Sequence, residues 1–136
     1  MPTYRSAVVH LSIDVPPDDV VAFLSDLENW KTWAPWITSV TRDSSGAWVV
    51  GTDDGGMTFR FGEANALGIL DHDVTLASGV TVHNALRVVP NGTGSELAMV
   101  LFEWPHMSAG EFERDISAVR ADFDKIKQVM ESLRTA

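Results

Sequence analysis

The sequence predicts an α+β fold in which a curved, antiparallel seven-stranded sheet wraps around a long C-terminal helix. Three observations carry this expectation. Short alternating segments punctuated by turn residues run from Ile37 to Trp104, with no room for the crossovers that a parallel sheet needs. The final stretch, Ser108 to Leu133, places Phe112, Ile116, Val119, Phe123, Ile126, Met130 and Leu133 at alternating spacings of four and three, on one stripe of a helix. One strand and two short helices precede the strand run, so the order is β-α-α-β6-α. At 136 residues the chain reads as a single domain over 1–136, large enough to bury a core.

The first strand is Tyr4 to Val15, where Ala7, Val9, Leu11, Ile13 and Val15 share one face and Ser6, His10, Ser12 and Asp14 the other. Pro16-Pro17 ends it, and Pro17 suits the first position of a helix whose first turn holds Asp18 and Asp19. Val20, Phe23, Leu24 and Leu27 give that helix an inner face. A second helical turn covers Glu28 to Thr32, within the Trp30, Trp33, Trp36 cluster, and breaks at Pro35. The following strands are Ile37–Arg42, Ala47–Thr52, Met57–Glu63, Leu67–Leu76, Val80–Val89 and Glu96–Trp104. Their turns are Asp43-Ser44-Ser45-Gly46, Asp53-Asp54-Gly55-Gly56, Ala77-Ser78-Gly79 and Asn91-Gly92-Thr93-Gly94. Ser108 and Glu111 form a Ser-x-x-Glu pattern that marks the start of the last helix.

Composition removes several function classes. A formal net charge of −9 disfavours nucleic acid and anionic membrane surfaces, which are bound through Lys and Arg. No stretch approaches the roughly twenty apolar residues of a membrane span, and no signal-type apolar segment opens the chain, so a cytoplasmic protein is expected. With no cysteine, thiolate metal sites and cysteine nucleophiles are excluded. The four histidines lack zinc-type spacing, and nucleotide-binding and hydrolase motifs are absent, so neither metal nor cofactor is expected.

The stretch Val15-Pro16-Pro17-Asp18-Asp19-Val20-Val21-Ala22-Phe23-Leu24-Ser25-Asp26-Leu27-Glu28-Asn29-Trp30, then Trp33-Ala34-Pro35 and the next strand, resembles the strand-to-helix entry of the START-like, birch-pollen-allergen-like (SRPBCC) superfamily. Glu111 to Leu133 resembles its gripped helix. The resemblance spans essentially the whole chain and is closest to small bacterial polyketide cyclase/dehydrase-like members. It implies a helix-grip fold with a cavity between sheet and helix. It does not specify chemistry, because binders, cyclases, transfer proteins and interaction modules share the scaffold.

If Ala77-Ser78-Gly79 is a three-residue loop with Gly79 left-handed, Leu76 faces Val80 and His72 lies across from Asn84. His72 and Asn84 would then be a polar pair on an apolar wall, able to orient a ligand carbonyl or hydroxyl. A structural histidine satisfied by backbone or amide is the blander reading, and a two-residue turn would set His72 opposite Ala85. Glu63 and Glu103 continue inward rows and are, with His72, the only candidates for acid–base catalysis, although solvation at a strand end is the favoured reading of both. Asp71 and Asp73 flank His72 but project to the opposite face, while His10 and His83 lie on outward rows. Trp33 is expected in the core, with Trp30 or Trp36 nearer the opening. Phe59, Phe61 and Met99 are expected to line the cavity, joined near the loops by Phe112 and Ile116.

The leading expectation is binding of a small hydrophobic or aromatic ligand, such as a lipid or polyketide-like metabolite. A polyketide cyclase or dehydratase using His72 and a carboxylate at the cavity mouth comes second, and a protein-interaction module third. Pairing of two copies through an edge strand stays open.

Overall fold

The computed structural model describes residues 2–135. Its elements are β1 (Ser6–Ile13), α1 (Pro17–Leu24), a 3-10 helix (Leu27–Thr32), β2 (Ser39–Arg42), β3 (Trp48–Gly51), β4 (Met57–Phe61), β5 (His72–Thr75), β6 (Thr81–Asn91), β7 (Gly94–Phe102) and α2 (Glu111–Thr135). The seven strands form one curved sheet in the order β1-β7-β6-β5-β4-β3-β2, with every neighbouring pair antiparallel. Consecutive strands pair by hairpins from β2 to β7, and β1 returns to the free edge of β7. This is the expected β-α-α-β6-α order.

The entry into α1 follows from its residues. Pro17 occupies the first turn with Asp18 and Asp19, where a missing N–H costs nothing and negative charge meets the positive end of the helix dipole. Asp26 then caps the 3-10 helix by accepting from the Glu28 N–H at 3.0 Å. The Trp30 indole N–H donates to the Leu24 carbonyl at 2.9 Å and ties the two helices together.

The turn after β5 is the three-residue form. The Leu76 N–H donates to Val80 O at 2.8 Å, Gly79 has φ 92°, and His72 pairs with Asn84. The same register runs back beyond β5, through the Leu70 N–H to Leu86 O bond at 2.9 Å and the Ile69–Arg87 bridge. Gly68 makes that extension feasible. Its φ is +75°, and a Cβ there would lie 2.0 Å from the Val88 carbonyl oxygen.

The start of α2 differs from the sequence expectation. The helix begins at Glu111, preceded by Gly110 at φ 83°, and the Ser108 hydroxyl donates to the Glu111 carboxylate at 2.8 Å instead of capping a backbone N–H. Glycine at the boundary sets the entry angle, so the Ser-x-x-Glu pair is spent within the turn. At the other end Leu133 is 60% exposed, so the buried stripe closes at Met130.

Helix α2 lies chiefly against β1 and then β7. Its C-terminal half is fastened to the end of β1. Lys127 donates to Ser12 O and to Glu131, each at 2.8 Å, while the Glu131 carboxylate accepts the Asp14 N–H at 2.8 Å. Near the other end Arg5 pairs with Glu103 at 3.0 Å and Glu113 at 2.6 Å, its guanidinium 4.8 Å from the Phe112 ring centroid. The outer sheet face carries the polar rows. Asp71 holds Arg87 through two 2.9 Å bonds, and His83 meets Asp73 at 2.8 Å. Asp71 and Asp73 therefore point away from His72, as their alternation demands.

Candidate functional site

Between the inner sheet face and α2 lies a partly open cavity of about 550 Å³. Each wall is built by a separate element. Phe59 on β4, Val74 on β5, Leu86 on β6 and Met99 on β7 supply the sheet side. Trp30, Trp33 and Trp36 supply a lateral aromatic wall, and Trp104, His106 and Met107 line the segment leading into α2. The helix closes the space with Val119, Phe123 and Ile126, flanked by Glu111, Asp115, Ala118 and Asp122. A shallower groove of about 380 Å³ beneath the Gly55-Gly56 and Ala77-Ser78 turns shares Trp36, Met57 and Leu76 with it.

His72 is 3% exposed and packed among rings. Phe59 stacks on it at 5.5 Å between centroids and 24° between planes, with Phe61 at 5.2 Å and Trp30 at 6.2 Å. Its Nδ1 lies 2.9 Å from the Leu70 carbonyl, and a carbonyl only accepts, so the proton sits on Nδ1. Nε2 is then an acceptor, and its protein neighbour is the Asn84 amide nitrogen at 3.5 Å, the limit of a hydrogen bond. Burial among these apolar groups pushes the imidazole pKa down and keeps the ring neutral, against the pull of the Leu70 carbonyl. His72 is thus a held acceptor on the cavity wall beside an amide.

The three tryptophans divide their roles, with Trp33 in the core and Trp36 the least buried. Trp30 and Trp33 are both 6% exposed, with ring centroids 5.1 Å apart, and both line the cavity from within the core. Trp36 is half-buried, edge-on to Trp33 at 6.5 Å. Trp30 is therefore a core anchor as well as a wall, because its N–H is committed to Leu24. The Trp33 Nε1 is buried without a hydrogen-bond partner among the described residues.

Six of the expected lining residues come together here: His72, Asn84, Trp30, Trp36, Phe59 and Met99. Phe61, Phe112 and Ile116 do not line the cavity. Phe61 is turned against His72, while Phe112 is buried under Arg5 and Ile116 packs into the core. Glu63 and Glu103 do not line it either. The β4 ladder ends at the Phe61–His72 pair, so Glu63 stands exposed beyond it, and Glu103 turns to Arg5.

The acidic flank of α2 is not among the expectations drawn from the sequence. Glu111, Asp115, Ala118 and Asp122 recur at spacings of four, three and four, a second stripe beside the apolar one. That spacing was the available signal, but acidic helix residues ordinarily read as a solvated face. Burial pushes the Asp122 carboxyl pKa up, opposed by the Trp36 indole N–H and the charge of Lys125. Burial also raises that of Asp115, helped by nearby Glu111 and opposed by His106 and Arg114. Among the described residues, no group of three or more His, Asp or Glu has the arrangement to hold a metal ion. Nor is any described helix long and apolar enough to cross a membrane.

Residues 5–135 match the family described as polyketide cyclase / dehydrase and lipid transport. No curated protein matches the sequence. Among solved structures, a START superfamily protein from Mycobacterium smegmatis is similar at TM-score 0.68 and 12% identity, covering 94% of this chain and 98% of that one. Ara h 8.0201 is similar at TM-score 0.71 and 14% identity over 94% and 98% of the two chains. The Aha1 dimer from Colwellia psychrerythraea gives TM-score 0.74 and 10% identity over 90% and 93%. At such identities these three likenesses establish the helix-grip fold and nothing finer.

Proposed function

The chain belongs to the polyketide cyclase/dehydrase and lipid-transport family, and on that premise we propose that it binds a small hydrophobic or aromatic molecule, a lipid or polyketide-like metabolite, between the sheet and α2. The observation that carries this reading is the cavity of about 550 Å³ walled by tryptophan, phenylalanine, methionine and aliphatic side chains. Its size falls within the range of roughly 300–1,000 Å³ typical of small-molecule sites, and an apolar lining with a few placed polar groups is their usual chemistry. The planar faces of Trp33, Trp36 and Phe59 suit a ring system. His72 Nε2 and the Asn84 amide offer such a ligand one acceptor and one amide, the pair needed to orient a hydroxyl.

Native mass spectrometry of the purified protein after incubation with a cell extract tests this directly. The expected result is a retained small apolar compound at one per chain, displaced by a bulky side chain introduced at Val82 or Met99. Retention of nothing, with no response to an uncharged environment-sensitive dye, would sink the reading.

A further inference from the structure

The cavity is polarised in charge. Glu111, Asp115 and Asp122 line its helix side, while no lysine or arginine lines it among the described residues. His106 is the one other ionisable group on the rim, and it sits exposed in the loop before α2. A carboxylate-bearing ligand would therefore meet three like charges and no fixed cation. Like charges at contact in a partly desolvated site are unfavourable, and opposite charges there gain more than they do in water.

Several of the chain's other acids are held in ion pairs. Asp14, Asp71, Glu96, Glu103, Glu113 and Glu131 each have a basic partner within 3.2 Å. Asp115 and Asp122 take part in none of the ion pairs among the described residues. Asp122 is half-buried and burial disfavours its charged form, which the Trp36 indole N–H offsets in part, whereas Asp115 is exposed beside the same cavity. An exposed unpaired carboxylate is compensated by water, but a half-buried one beside a cavity is compensated less, and a bound cation would restore the deficit. The aromatic wall works in the same direction. Trp36 is half-buried and Trp104 also lines the cavity, and indole faces attract cations.

Resting on the proposal that this cavity binds a hydrophobic ligand, we infer that it selects ligands carrying a basic amine, whose ammonium group sits against Asp122 beside Trp36, with Asp115 about 10 Å along the helix adding to the negative field, while the apolar body fills the cavity. Acidic amphiphiles, free fatty acids among them, are rejected. The far polar pair fits the same ligand, because His72 Nε2 is an acceptor and takes a hydroxyl or N–H at the inner end.

The test uses one naphthalene body with three substituents, aminomethyl, hydroxymethyl and carboxylate, titrated calorimetrically into the protein at pH 8. The amine should bind about tenfold more tightly than the alcohol, and the carboxylate more weakly than either. In Asp122→Asn the amine-to-alcohol affinity ratio should fall several-fold, and independently in Asp115→Asn it should fall by a smaller factor. Using both variants guards against one that fails to fold, which near-ultraviolet circular dichroism would reveal. Equal binding of all three, a preference for the carboxylate, or an unchanged ratio in both variants would overturn the inference while leaving the cavity as a binding site. Binding of none of the three would remove both.

Discussion

His72 spends Nδ1 on the Leu70 carbonyl and is walled in by Phe59, Phe61 and Trp30, so its charge state is coupled to folding. Burial lowers its pKa from the ordinary 6.5. In the unfolded chain the ring takes up a proton as pH falls through that value, while the folded chain resists until lower pH. The stabilising contribution is therefore complete above the unfolded pKa and is lost as pH falls below it toward the folded pKa. Asp71 and Glu96 have carboxyl pKa values lowered by Arg87 and His10 respectively, so their contributions are lost only in the acid range beneath the ordinary 3.8 and 4.5. The two windows separate. The urea midpoint of the wild type should decline between pH 7.5 and 5, and His72→Phe should flatten that decline while preserving the loss below pH 4. An equal slope in both proteins above pH 5 would show that His72 is not the group responsible.

At the scale of elements, the sequence was most legible where periodicity and punctuation agree. Alternation in β1 follows from side-chain period, and the His72–Asn84 pairing is the one a three-residue Ala77-Ser78-Gly79 turn implies, with the two-residue alternative removed by the structure. The rotation of α2 was not legible. A stripe of seven apolar residues shows that a helix is buried on one side, but not how that side is shared between a solid seal and an open space. The structure gives Phe112 and Ile116 to the seal and turns the Glu111, Asp115, Ala118, Asp122 flank to the cavity. At the strand ends the row pattern and the favoured solvated reading part company. Glu63 and Glu103 continue inward rows on paper, but the β4 ladder stops at Phe61 and Arg5 captures Glu103. The division of α2 predicts separable effects. Phe112→Ala removes a 2%-exposed ring from the seal and should cost about 3–5 kcal/mol in denaturant unfolding, with ligand affinity of the remaining folded protein unchanged. A comparable loss of affinity would place Phe112 on the cavity after all.

For the whole molecule, the grip of the sheet on α2 and the net charge of −9 act on the ligand together. A ligand that binds only the folded chain stabilises it by about 2.7 kcal/mol at a hundredfold excess over its Kd, whatever its charge, because the linkage depends on occupancy alone. Charge enters through how that Kd responds to salt. The long-range attraction between an acidic protein and an ammonium ion is screened over a distance of about 10 Å at 0.1 M salt, whereas burial of an uncharged ring has no such dependence. The aminomethyl naphthalene should therefore lose affinity several-fold between about 20 mM and 300 mM sodium chloride, while the hydroxymethyl analogue holds constant or tightens slightly. Part of the amine's advantage should survive at high salt, because the carboxylate of Asp122 borders a partly desolvated space where ions screen poorly. Thermal unfolding midpoints at fixed ligand concentration across that salt range read both effects at once. An amine advantage that vanished completely at 300 mM would assign it to the diffuse charge of the surface, and one that did not change at all would remove the surface field from the account.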